Sequence, residues 1–325
     1  MAPWNTTLKL RLQEFAVFHH IMANSMCNIV AVLILIYLYK FGLAHLVYLY
    51  FAWMWWDLDS PYNGGYSSRY FLNLRMHTWF CQYFPLKLHT LSDLTDDQNY
   101  LIVMHPHGIL GASSYHFMSN GSGLMNKFPK INFHACTLNF KFWTPLCREW
   151  LMLHGVISCS REAINNVLSD PRKGQAALLV VGGAQEALDA HPGQHVLTLK
   201  KRKGFIKAAL ENGASLVPCF AFGENDVFHQ VSNEEGSIVR WVQTLVKNIC
   251  GVSPVLFYGG FGPFMPFRTP LNTVLGAPIS VTKIQNPTHE QIDQLQTLYI
   301  ERLTELYGEN KEKYGIDSDN NLIIR

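Results

Sequence analysis

Tyr100-Leu101-Ile102-Val103-Met104-His105-Pro106-His107-Gly108 is the stretch that decides how this chain is read. The five apolar residues are short and rich in branched side chains, which predicts a buried strand ending at the histidines. Pro106 fixes its own φ and biases His105 toward extended backbone, while Gly108 permits a close turn into a helix predicted over residues 109–118. Two imidazoles therefore stand at the carboxyl end of a strand, where ligands and chemistry collect in α/β sheets. Imidazole is also the side chain whose ordinary pKa best suits taking a proton from a hydroxyl near neutral pH.

Working outward, strands alternate with helices. A Thr144-Pro145 start predicts a helix to Leu153 that stops at Gly155, followed by a strand over residues 156–159 and a helix capped by Ser160. Residues 176–181 read as a strand ending in Gly182-Gly183. Residues 203–211 read as a helix closed by Asn212-Gly213, and residues 216–222 as the next strand. A helix over residues 237–249, a strand over 273–281 and a capping box at Thr288-His289-Glu290-Gln291 complete the pattern. Ile292, Leu295, Tyr299, Leu303 and Leu306 mark the core face of a last long helix. The alternation predicts an α/β fold with a mixed, largely parallel sheet flanked by helices.

The amino terminus follows a different logic. Charged residues make up 15% of the chain, against about 25% in ordinary soluble proteins. Residues 15–39 and 41–56 contain no Asp, Glu, Lys or Arg, and the second gap closes in Trp53-Met54-Trp55-Trp56. The first is long enough for one bilayer-spanning helix and the tryptophans suit an interfacial belt, with Lys40-Phe41-Gly42 as a turn. A transmembrane hairpin is expected over residues 15–56, or one span followed by an interfacial helix. Residues 1–14 are then cytosolic, and the sequon Asn5-Thr6-Thr7 is expected to stay unmodified. Residues 57–99 read as a linker followed by an amphipathic stretch, residues 66–85, placed along a membrane surface or on the domain core. A net charge of +2 without a basic face argues against nucleic acid. Seven cysteines without a C-x-x-C pair read as reduced thiols facing the cytosol.

Four strand ends carry unusual residues, in the order His105-Pro106-His107-Gly108, Gly155 through Arg161, Gly182-Gly183-Ala184-Gln185-Glu186 and Leu216-Val217-Pro218. This order resembles the glycerolipid acyltransferases, although their His-x4-Asp is absent: Leu110 and Ala112 stand where the acid would. The His-Pro-His-Gly form is similar to the type-2 diacylglycerol acyltransferase family, which includes monoacylglycerol and wax-alcohol acyltransferases. Tyr83-Phe84-Pro85, Pro145-Leu146-Cys147-Arg148-Glu149, Arg202-Lys203-Gly204-Phe205 and Phe222-Gly223-Glu224 extend the resemblance over almost the whole chain. The run from Glu186 to Gly193 looks most like the monoacylglycerol branch, whereas the loop over residues 258–266 looks shorter than the family's usual one.

The resemblance implies acyl transfer from acyl-CoA, as co-substrate and with no permanent cofactor or metal, to an acylglycerol hydroxyl, in triacylglycerol synthesis and lipid storage. Residues 100–325 then form the catalytic domain. It implies residence in the endoplasmic reticulum membrane with that domain cytosolic, and access to lipid-droplet surfaces and homo-oligomers. His107 is the expected general base, His105 an orienting partner and Glu186 the acid that holds the base or stabilises charge. Pro106, Gly108, Arg148, Glu149, Arg161, Gly182, Gly183, Arg202, Lys203, Gly204 and Phe205 are the expected substrate-binding positions. The basic run Lys200-Lys201-Arg202-Lys203 precedes a helix amino terminus suited to the phosphates of coenzyme A. No G-x-S-x-G elbow supports a serine hydrolase, and a zinc site lacks spaced Cys/His partners for the histidines. A wax-alcohol acyltransferase and a non-enzymatic membrane scaffold remain the competing readings.

Overall fold

The computed structural model describes residues 7–25, 27–251 and 253–325, so Asn5 and Thr6 of the sequon lie outside the described residues. Seven strands, β1 (Lys87–Thr90), β2 (Tyr100–His105), β3 (Asn132–Thr137), β4 (Ile157–Ser158), β5 (Gln175–Val180), β6 (Ser215–Phe222) and β7 (Asn272–Leu275), form one sheet in the order β1-β7-β6-β2-β5-β3-β4. All neighbours are parallel except β6 and β7. The sheet is thus mixed and largely parallel, and β2 lies at its centre between β5 and β6.

Every residue of β2 is buried, which is why its sequence is continuously apolar rather than alternating. The period of two still sorts its side chains. Leu101 and Val103 share a core with α6 (Arg161–Leu168), α8 (Gly204–Asn212) and α10 (His289–Asn310), whereas Tyr100, Ile102 and Met104 pack with Phe117, Phe133, Leu151 and Met152 on the other face. Local signals set the helix starts. Ser160 Oγ accepts the Ala163 N–H at 3.2 Å, and Thr288 with Gln291 forms the expected capping box of α10.

Some boundaries differ from the sequence reading for identifiable reasons. After Gly108 (φ 59°) a second left-handed glycine, Gly111 (φ 65°), prolongs the turn, so only Ala112–Ser114 and Tyr115–Met118 are helical. The helix expected from Pro145 begins at Cys147, because Leu146 takes φ 63°; this is α5 (Cys147–Leu153). The strand expected over residues 273–281 ends at Leu275 and is antiparallel to β6.

The amino-terminal segment is the largest departure. In place of one helix over residues 15–39 there are α1 (Leu8–Ser25) and α2 (Cys27–Lys40), whose axes differ by 76°, followed by α3 (Ala44–Trp56). Among the described residues no single helix is long and apolar enough to cross a membrane. The break has a cause in packing. Ala16, Val17 and Ile21 of α1 are buried with Phe80, Tyr83 and Phe84, contributed by α4 (Arg75–Tyr83) and its end. Burial of Val17 and Ile21 stabilises this docking by roughly 1.5–3 kcal/mol each. The 66–85 stretch therefore takes the core alternative, not the membrane-surface one. From α2 onward, Ile29, Leu33, Ile36, Leu49, Trp55 and Trp56 are exposed, and α2 and α3 contact each other across a Phe41-Gly42-Leu43 turn.

Candidate active site

The end of β2 places His105 and His107 in different environments. His105 follows Leu101 and Val103 on the face of α10 and is completely buried. Its Nε2 lies 3.1 Å from the Tyr299 hydroxyl, which donates its own proton to the Val103 carbonyl at 3.2 Å. Tyr299 can then only accept, so His105 Nε2 carries the proton. Burial pushes the His105 pKa down to about 3 and keeps the ring neutral. His105 thus fastens α10 to the end of β2 and does not touch His107.

His107 is half-buried. Its Nδ1 lies 3.0 Å from the Gly108 carbonyl. A carbonyl only accepts, so Nδ1 bears the proton and the neutral ring presents a free lone pair at Nε2. Burial, with a smaller contribution from the Lys141 cation, lowers the His107 pKa from 6.5, and the base is unprotonated at neutral pH. Lys141 is itself held at 3.2 Å by Asn24 of α1, which brings the α1–α2 elbow to the edge of the sheet where His107 stands.

Glu186 arrives from α7 (Gly183–Leu188), which follows β5, the neighbour of β2. Its two carboxylate oxygens accept the backbone N–H of His107 at 3.0 Å and of Thr198 at 2.8 Å. Glu186, expected to hold the base or stabilise charge, holds the His107 main chain rather than its ring. Burial raises its pKa to about 7, against the pull of the two amide donors. Gly182 makes room for it, since a Cβ there would fall 1.8 Å from Glu186 Cδ.

Glu224, quoted in the motif at the end of β6 but given no role from sequence, is the residue that reading missed. It accepts Ala112 N–H at 2.7 Å, Ser113 N–H at 2.8 Å and Ser113 Oγ–H at 2.6 Å. It lies beneath Gly108, where a Cβ would come within 2.7 Å of Glu224 Cγ. Burial raises its pKa to about 7. Its position at the end of the strand beside β2 was the available signal. Two buried carboxylates from the two neighbouring strands therefore clamp the turn that carries His107, one on each side of Gly108.

The remaining expected positions divide. Lys200, Arg202 and Lys203 are exposed and follow closely on Thr198, so the basic run borders the site through Glu186, with Lys203 paired to Asp293. Gly204 opens α8, while Phe205 is buried edge-on against Tyr299, a core residue and not a ligand contact. Arg161 is exposed but tied to Glu211 at 2.6 Å. Gly183 takes φ 57° at the turn into α7, and Pro106 is buried beside His105.

Arg148, expected among the substrate-binding positions, has a side chain that is 0% exposed and engaged within the protein. It donates to the Asp57 carboxylate at 2.8 Å and carbonyl at 2.6 Å, and it contacts Glu149 at 3.2 Å. Glu149 accepts from Tyr50 of α3 at 2.8 Å, and the same hydroxyl accepts the Leu146 N–H at 2.9 Å, supplying the cap that α5 lacks. Arg148 and Glu149 thus latch the hairpin to the domain. Arg148→Met should cost about 3–5 kcal/mol of stability by leaving the Asp57 carboxylate without its cation and with Ser60 as its remaining donor, with the KM for acyl-CoA unchanged. Thermal unfolding in detergent with acyl-CoA titration checks this, and a raised KM at normal stability would return Arg148 to the substrate.

Residues 36–325 match the diacylglycerol acyltransferase family model. The chain belongs to that family. This acyltransferase is 40% identical to 2-acylglycerol O-acyltransferase 1 of Bos taurus, over 100% of this chain and 98% of that protein. It is 37% identical to diacylglycerol O-acyltransferase 2 of Homo sapiens, over 94% of this chain and 81% of that one. Among solved structures, the 1-acyl-sn-glycerophosphate acyltransferase PlsC of Thermotoga maritima aligns with a TM-score of 0.40 at 11% identity, over 87% of this chain and 97% of that one.

Proposed function

We propose that this acyltransferase esterifies the free hydroxyl of an acylglycerol with an acyl group from acyl-CoA, taking monoacylglycerol and diacylglycerol as acceptors, and that His107 is the base. The carrying observation is the tautomer of His107: Nδ1 is occupied by the Gly108 carbonyl and Nε2 is free, on a turn clamped by Glu186 and Glu224. The acceptor hydroxyl attacks the thioester carbonyl as Nε2 takes its proton. The carbon–sulfur bond then breaks, and the imidazolium returns the proton to the departing coenzyme A thiolate. The exposed basic run beside Thr198 suits the phosphates of coenzyme A.

The acceptor is lipid-soluble and arrives from a membrane. Helices α2 and α3, of 14 and 13 residues, are each about 20 Å long against a hydrocarbon core of about 30 Å. They enter the cytosolic leaflet of the endoplasmic reticulum membrane, leaving the catalytic domain in the cytosol, with Trp55 and Trp56 at the headgroup level. The experiment supplies labelled acyl-CoA and each acceptor in turn to full-length protein, wild type and Leu33→Glu/Ile36→Glu. Both positions are exposed, so folding is spared. Wild type should yield tri- and diacylglycerol. The variant should lose about tenfold or more toward a bilayer-embedded acceptor while keeping its rate on a short-chain, water-dispersed one. Failure of wild type on every acylglycerol would overturn the function, and equal losses on both acceptors would overturn the route of access.

A further inference from the structure

A second apolar surface lies outside everything used so far. Helix α9 (Ile238–Cys250) begins at Ser237, whose Oγ accepts the Arg240 N–H at 3.1 Å, and ends at Gly251 in a left-handed conformation. Ile238, Trp241, Val242, Leu245 and Ile249 recur at the spacing of one helical face. Burying that face would be the ordinary outcome, yet Ile238 is 82%, Trp241 66% and Ile249 74% exposed. The polar face is the one that packs. Arg240 donates to the Leu188 carbonyl at 3.0 Å and to Asp189, Lys247 reaches Gln185, and Gln243 accepts from Asn233 at 2.9 Å. Ser253, just beyond the helix, donates to the Ala184 carbonyl. Helix α9 is therefore fixed along α7, the helix that carries Glu186, with its apolar side turned outward.

We propose that this outward face is a second membrane-docking surface, seated in the headgroup region of a lipid bilayer beside the active site. Three observations select a bilayer over another protein. First, α9 lies on α7 at the carboxyl edge of the sheet, the edge that holds His107 and that the α1–α2 elbow reaches through Asn24 and Lys141. Second, no Asp or Glu occurs from Gly236 to His289, so no acidic side chain on the helix or on the loop beyond it repels anionic headgroups, while the basic Arg240 and Lys247 are spent on the inward face. Third, exposed apolar side chains continue past the helix, with Leu256 just before the short strand Phe257–Tyr258, Tyr258 on it and Phe261 on the strand Gly260–Pro263. An acceptor hydroxyl at headgroup depth would then meet His107 between two anchored flanks. This inference rests on the reading of the enzyme as membrane-bound, and its first test requires no turnover.

Full-length protein, wild type and Trp241→Phe, is reconstituted in vesicles of phosphatidylcholine and phosphatidylinositol that contain phosphatidylcholine brominated near the headgroup. Trp241 should account for a clear share of the quenching of tryptophan fluorescence, so Trp241→Phe should be quenched less than wild type. A second variant, Trp241→Glu/Ile249→Glu, should require about tenfold more bilayer-embedded acceptor for half-maximal rate, with the rate on a dispersed short-chain acceptor unchanged. Equal quenching of wild type and Trp241→Phe would overturn the proposal. So would a halved mass of the Glu variant in detergent, which would assign the face to a second copy of the chain. Quenching as expected with no turnover by any variant would leave the docking intact and remove the acyl-transfer reading instead.

Discussion

His107→Ala should lower acyl transfer by about 10²–10⁴-fold, the usual contribution of a positioned base, while the protein still folds and stays in membranes. The side chain is half-buried at a turn whose shape is held by main-chain donors, so truncating the ring leaves the clamps of Glu186 and Glu224 in place. Release of labelled ester from wild-type and variant membranes measures the loss directly. The pH profile separates the imidazole from the two carboxyl groups that clamp its turn. Burial lowers the His107 pKa below 6.5, so the free-base form is lost, and activity with it, only as pH falls beneath that value. Burial raises Glu186 and Glu224 each to about 7, so a limb near pH 7 reports the carboxyl groups that clamp the His107 turn. Glu186→Gln should remove the Glu186 share of the upper limb, Glu186→Gln with Glu224→Gln the whole of it, and both should keep the lower limb. Near-normal turnover by His107→Ala would reject it as the base.

Gly182→Ala should be almost as damaging, although it adds one methyl group. Gly182 has an ordinary φ of −61°, so the added Cβ strains no backbone. Its cost is steric: the Cβ would fall 1.8 Å from Cδ and 2.0 Å from Oε2 of Glu186, and the carboxylate must leave. Once displaced, it abandons the amides of His107 and Thr198, each then buried without its acceptor at a cost of about 1–3 kcal/mol. Transfer should fall by about a hundredfold. The decisive measurement is a double-mutant cycle. In a Glu186→Ala background the three closest contacts of the methyl group, all to the Glu186 carboxyl, are gone, so Gly182→Ala should add little further loss. Full additivity of the two losses would mean that Gly182 acts through something other than Glu186.

What the sequence by itself determined is everything that depends on local pattern and period. The continuous apolar run of residues 100–104 required a strand buried on both faces, and the Ser160 and Thr288 caps, the Gly213 stop and the alternation of strands with helices required a largely parallel sheet. Those signals lie within a few residues of what they specify. The placement of His107 and Glu186 at strand ends was legible for the same reason, since each closes or follows a recognisable strand. What only the tertiary structure decided is which groups meet across long separations. Tyr299 reaches His105 over 194 residues, and Glu224 reaches Ser113 over 111. No spacing rule in a chain encodes such contacts. Arg148 looked like a phosphate ligand because a charge in a motif says nothing of burial, and Asp57, 91 residues away, made it a latch. The amino terminus shows the same limit. Hydropathy alone makes residues 15–39 one span, but Ala16, Val17 and Ile21 are buried against α4, and the axes of α1 and α2 differ by 76°.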